Sequence, residues 1–206
     1  MEDLRKQTIE TYNQSADELA EYFRNTGARV GDIELALSLA GEPENPQILE
    51  IGFGSARDAE EIIKHAGYYK GIDTAQAFVD KARKKLPHGN FELANAVTYE
   101  YEGKYDVVYA FAVLRHMNQE ETTTVLTKVN RALRDGGIFY ISLQYAEDYK
   151  ETVRKDEFGT RVQYLYSPQL IRELAGQGYV EVYGAQNMIG DTAWFEIALK
   201  KVPVDA

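Results

Sequence analysis

Ile48-Leu49-Glu50-Ile51-Gly52-Phe53-Gly54-Ser55-Ala56-Arg57-Asp58 is the stretch whose reading decides the fold. An apolar run ends in two glycines, and helical spacing resumes from Ala56 to about His65. The order is strand, tight turn, helix. Glycine lets the chain turn sharply at a strand end and lets a ligand approach the backbone closely. Amides at the start of the following helix would face that ligand. Taken alone, the signal is shared with any strand-to-helix turn.

The next strand sharpens it. Tyr69-Lys70-Gly71-Ile72-Asp73 closes on an acid about twenty residues past the loop, the place from which a carboxylate can accept both hydroxyls of a ribose. Asp73 could equally cap a helix beginning at Thr74; the glycine loop ahead of it favours the ribose. A dinucleotide fingerprint would want a small residue where Arg57 stands, because helix and strand pack closely there. Arginine fits that place poorly. Glu50 instead gives an acidic-x-Gly-x-Gly order.

Outward from this core the chain alternates strand-like and helical segments, the pattern of an α/β domain with a parallel sheet. Helical spacing covers residues 2 to 24, with Ile9, Tyr12, Ala16, Leu19 and Phe23 on one stripe, and again 31 to 40. Further strands are expected at 90 to 93, 105 to 111 and 138 to 143, with a helix from Gln119 to Leu133 stopped by Asp135-Gly136-Gly137. Residues 144 to 166 are charged and tyrosine-rich without a clear period. Ser167-Pro168 starts a helix to about Ala175, and the runs 179 to 186 and 193 to 200 read as an antiparallel pair. The expectation is a single domain over 1–206, with a helical cap at 1–45 and a substrate lid at 144–166. Its fold class would be Rossmann-like: a seven-stranded, mostly parallel sheet ending in an antiparallel hairpin, with helices on both faces.

Composition narrows the function. With 33 acidic residues against 23 basic ones the net charge is −10, which opposes affinity for a phosphate backbone. The cations from Lys81 to Lys85 fit a helix C-terminus better than a nucleic-acid patch. The absence of cysteine removes disulfides, thiolate metal sites and cysteine nucleophiles together. No histidine or carboxylate spacing suggests a metal. Met1-Glu2-Asp3-Leu4-Arg5-Lys6 leads into no apolar run, and no stretch approaches the roughly 20 apolar residues of a membrane span. A cytoplasmic protein without nucleic-acid or membrane partners is expected.

The acidic-x-Gly-x-Gly loop, the acid at Asp73, Tyr105 to Phe111 and Leu133-Arg134-Asp135-Gly136-Gly137-Ile138 together resemble the class I S-adenosylmethionine (SAM)-dependent methyltransferases, over roughly residues 9 to 200. More narrowly, Ser55-Ala56-Arg57-Asp58-Ala59 and Tyr164-x-Tyr166-Ser167-Pro168 resemble a bacterial small-molecule subgroup whose loop reads G-R-D-A. Ala56 stands where the family often has a third glycine, and Asn95 where it commonly has an acid on the adenine amine. The resemblance implies SAM as cofactor. Glu50, Gly52 and Gly54 would form the first motif, the glycines passing under the methionine part, with Asp73 and Thr74 at the ribose. Phe78 would pack on the adenine, Ala96 would offer its amide to the ring and Asn95 would meet the exocyclic amine. Phe111 would line the channel where methyl and acceptor meet, Arg57 would take the methionine carboxylate, and Tyr12 would fold back over the cofactor. Each has a plainer alternative: Phe78 and Phe111 as core residues, Arg57 on a helix surface, Tyr12 on an apolar stripe.

Methyl transfer from a sulphonium chiefly needs alignment and exclusion of water, and a base only for some acceptors. His116, in Val113-Leu114-Arg115-His116-Met117, is the candidate base; a structural hydrogen bond is its alternative. Tyr145, Tyr149, Tyr164 and Tyr166, with Gln144 and Arg161, could form an aromatic wall for a small acceptor or simply pack down. A sensor that binds SAM or its demethylated product without turnover is the competing function, and a nicotinamide-dependent oxidoreductase a more distant one.

Overall fold

The structure, a computed structural model, describes residues 2–203. Three helices come first: α1 (Glu2–Gln14), α2 (Ala16–Arg24) and α3 (Val30–Leu39). The alternating core follows as β1 (Gln47–Ile51), α4 (Arg57–His65), β2 (Tyr68–Asp73), α5 (Gln76–Lys85), β3 (Asn90–Leu93) and β4 (Tyr105–Phe111). A short 3-10 turn at Leu114–His116 leads to α6 (Gln119–Ala132), β5 (Leu133–Gln144), β6 (Lys150–Asp156), β7 (Gly159–Leu165), α7 (Pro168–Ala175), β8 (Tyr179–Ile189) and β9 (Thr192–Lys201).

Seven strands form one sheet in the order β3-β2-β1-β4-β5-β9-β8, with parallel pairs as far as β5 and antiparallel pairs for β5–β9 and β8–β9. β1 is central and covered on both faces, which is why it reads as a continuous apolar run: Leu49 and Ile51 enter one core cluster, Ile48 the other. The strand order reverses between β1 and its neighbours β2 and β4. Crevices open at such a switch point, beyond the carboxyl ends of the strands. The fold is the Rossmann-like one expected.

Two expectations are corrected. β5 begins at Leu133 and not at Ile138: Leu133 pairs with Tyr105, and the register then slips so that Val107 faces Ile138. Gly136, at φ +80°, lies in the slipped segment in a conformation that favours glycine. Residues 144 to 166, read as aperiodic, contain the β6–β7 hairpin, paired from Lys150–Leu165 to Asp156–Gly159. It is fastened to α1. Val162 N donates to Thr8 Oγ1 at 3.0 Å, Thr11 Oγ1 to Thr160 O at 2.9 Å and Ser15 Oγ to Phe158 O at 2.7 Å. Tyr164 and Tyr166 face the core, and the Tyr166 hydroxyl donates to Met117 O at 2.7 Å.

Among the described residues no helix is long and apolar enough to cross a membrane, and no cluster of His, Cys, Asp and Glu could hold a metal ion.

Candidate active site

A cavity of about 240 Å³ opens at the carboxyl ends of β1, β2 and β4. Tyr12, Glu50, Gly52, Gly54, Arg57, Asp73, Thr74, Phe78, Asn95, Ala96, Phe111 and His116, the site residues expected from sequence, all line it.

The floor is the glycine turn. Gly52, at φ +72°, sits against Val113, and a Cβ added there would lie 2.5 Å from Val113 Cγ2. The close approach leaves room for hydrogen only. Ala56, in the place of the family's third glycine, also has left-handed backbone at φ +54° and is fully buried. Gly54 N donates to Asp73 Oδ2 at 2.9 Å, and Ala75 N to Asp73 Oδ1 at 2.9 Å. Asp73 thus caps the turn before α5, as one sequence reading has it, and also lines the cavity. Burial raises its pKa, opposed by the amides of Ala75, Gly54 and Thr74.

Glu50 is buried beneath the turn and accepts a bond from the Tyr69 hydroxyl at 2.7 Å. Its carboxyl is pushed up to about 8, first by burial and then by the nearby charge of Asp58. Phe78 and Phe111 are both core residues and cavity walls; the Phe78 ring lies 6.1 Å from that of Tyr12. Asn95 Oδ1 accepts from Val97 N at 2.9 Å and keeps a second lone pair.

Arg57 does not reach out as a free fork. Its Nε and Nη2 bond Asp58 at 3.1 and 2.6 Å, and its Nη1 bonds Thr26 at 2.7 Å. Sequence reasoning missed Arg29, which shares Asp58 through Nη1 at 3.1 Å and lies 5.0 Å over the Phe111 ring while lining the same cavity. Its signal is long-range and invisible in local spacing.

The structure places His116, the candidate base, in two hydrogen bonds. Nδ1 lies 2.8 Å from Val162 O, which can only accept, so that nitrogen carries the proton. Nε2 therefore accepts from the Tyr12 hydroxyl, also at 2.8 Å. Both nitrogens are engaged, and burial lowers the imidazole pKa to about 3. His116 thus links Val162 of β7 to the Tyr12 hydroxyl at the cavity wall.

Residues 48–137 match the family model described as "Methyltransferase domain". The trans-aconitate 2-methyltransferase of Variovorax paradoxus is 26% identical over 127 residues, covering 60% of this chain and 48% of that protein. The chain spans about half or less of the length of the curated relatives it matches. Among solved structures, the 1,6-didemethyltoxoflavin-N1-methyltransferase of Burkholderia thailandensis superposes with a TM-score of 0.73 at 15% identity over 97% of this chain and 88% of its own. A SAM-dependent methyltransferase from Clostridium acetobutylicum gives 0.71 at 10% identity over 84% and 91%. In its motifs, its sheet order and the segment matched by the family model, the chain is similar to the class I SAM-dependent methyltransferases, whose fold it shares.

Proposed function

We propose that this protein transfers a methyl group from SAM to a small-molecule acceptor. The observation that carries the reading is the contact between Gly54 N and Asp73 Oδ2, which brings the glycine turn and the acid to one wall of one cavity. The residues fit the cofactor. Gly54 lines the cavity with open space where a Cβ would stand, and Asp73 keeps lone pairs for the ribose hydroxyls. Asn95 and Ala96 line the end where an adenine would lie, with Phe78 against its face. At the other end, Arg29 and Arg57 would meet the methionine carboxylate, and Phe111 would border the acceptor channel.

SAM supplies a methyl group already activated on a sulphonium. What the chain must do is hold and orient the two partners and keep water out. Tyr12, pinned by His116, closes the cavity on the side of the N-terminal helices. With His116 held neutral and bonded, the site favours an acceptor atom that is ionised at neutral pH and needs no proton removed. The relative named for trans-aconitate, a tricarboxylate, supports such an acceptor.

Calorimetry with SAM, S-adenosylhomocysteine and NAD tests the cofactor, and release of S-adenosylhomocysteine across an acceptor panel including trans-aconitate tests turnover. Binding of NAD without binding of SAM would overturn the reading.

A further inference from the structure

Beyond the cofactor cavity, Arg154 and Arg161 of the β6–β7 hairpin share one carboxylate, with Arg115 as a third arginine within their electrostatic reach. Arg154 Nε bonds Asp156 Oδ2 at 2.6 Å, and Arg161 Nη2 bonds the same oxygen. Arg115, on the 3-10 turn, takes part in no ion pair among the described residues. Its partners are the amide oxygen Oε1 of Gln144, at 2.7 Å from Nη2, and the Trp194 ring, 5.4 Å from its guanidinium carbon. Arg115 and Arg161 are only 8% and 6% exposed, and the Nε of each has no hydrogen-bond partner. Repulsion from Arg154 and Arg161 adds to burial in lowering the Arg115 pKa to about 10, which leaves it charged at neutral pH.

A buried cation without an anion is costly, and an unpaired buried donor of this kind calls for a missing partner. The place is next to the reaction site. Arg161 lies 5.7 Å over the ring of Tyr12, and Tyr12 lines the cofactor cavity. Tyr12 thus touches both the cavity and Arg161.

We infer that Arg115 and Arg161, beneath the β6–β7 hairpin, form a subsite for a carboxylate group of the methyl acceptor. The inference rests on the methyltransferase reading above. A planar guanidinium can match a carboxylate edge to edge, and Asp156 already bridges two of the three arginines through one oxygen. Three cations against one acid leave a surplus that a polycarboxylate would neutralise.

The test uses the full chain saturated with SAM and a series of carboxylates of one to three acid groups, trans-aconitate included, beside their neutral amides and inorganic phosphate as competitor. Turnover is expected for carboxylates and not for the amides. Arg115→Gln should raise KM for the carboxylate about 10- to 100-fold, the loss of one charge-assisted bond, with kcat and the SAM Kd little changed. Arg115→Lys should recover part of that loss. Equal turnover of acids and amides, an Arg115→Gln enzyme with unaltered KM, or inhibition by phosphate tighter than carboxylate binding would overturn the subsite. If Arg115→Gln fails to fold, Arg115→Lys and Arg161→Lys carry the same KM comparison. Failure of the wild type to bind SAM at all would instead sink the functional reading on which the subsite stands.

Discussion

The backbone amide of Gly54 and Oδ2 of Asp73 are 2.9 Å apart, so the turn after β1 and the acid ending β2 are a single hydrogen-bonded unit. Asp73 also holds the amide that opens the turn into α5. One carboxylate therefore fixes the shape of the floor and, with lone pairs to spare, lines the cavity in which the proposed ribose would lie.

Replacing Asp73 separates those two duties. Asp73→Ala leaves two amides without their acceptor, at about 1–3 kcal/mol for an unsatisfied buried group, so Tm and SAM binding should both fall. Asp73→Asn keeps one acceptor oxygen for the turn. It should retain most of the thermal stability while weakening SAM by about 10- to 100-fold, read by calorimetry and a melting curve. Unchanged SAM affinity in Asp73→Asn would remove Asp73 from the ribose.

The two glycines of the turn should respond differently. Alanine at Gly52 meets Val113 at 2.5 Å as well as the strain of φ +72°, and together these should cost about 2–5 kcal/mol of folding stability. Gly54, at φ +52°, has open space where its Cβ would stand, and that space adjoins the cavity. Gly54→Ala should cost only the left-handed strain, about 1–2 kcal/mol, yet lose cofactor binding. Melting curves beside SAM titrations distinguish the two outcomes.

These local features were legible in the sequence because they depend on neighbours in the chain: glycines after an apolar run, and an acid at the next strand end. The β6–β7 hairpin was not, because β6 is mostly exposed along both faces while Arg161 to Tyr164 of β7 are buried consecutively, so neither strand alternates. Arg29 and Asp58 meet only when α3 packs on α4, and Tyr12 meets His116 across 104 residues. Candidate residues could be named from motifs; the state of His116 depended on partners no spacing reveals. It reads as a candidate base because histidine usually titrates near neutrality, whereas burial in the fold lowers its pKa.

We propose that His116 supports Tyr12 without exchanging protons. His116→Gln can keep one of the two hydrogen bonds, and its activity should stay within about tenfold of the wild type, where loss of a general base costs about 10²- to 10⁴-fold. The pH profile of kcat/KM should have no limb near 6.5 that disappears in the variant. Such a limb, lost on substitution, would restore His116 as the base.

Glu50 should make both stability and SAM affinity depend on pH. Its folded pKa of about 8 exceeds the ordinary 4.5, so between those values the unfolded chain releases a proton that the folded one keeps. Stability from this group is full below the ordinary value, falls as pH rises toward 8 and levels off above it. Glu50→Gln lacks the titration, and its Tm advantage over the wild type should grow from pH 5 to 8 and then hold, by an amount on the order of a few kcal/mol. Ligand charge reverses the sense for binding. The sulphonium of SAM placed near this wall favours ionised Glu50, whereas neutral S-adenosylhomocysteine lacks that charge. The preference for SAM over its product should rise with pH up to about 8, by no more than tenfold per pH unit, and SAM binding at pH 7 should release a proton detectable by calorimetry in buffers of different ionisation enthalpy. A SAM-to-product ratio flat across this range in the wild type, as expected only for Glu50→Gln, would detach Glu50 from the cofactor and leave it a buried partner of Tyr69.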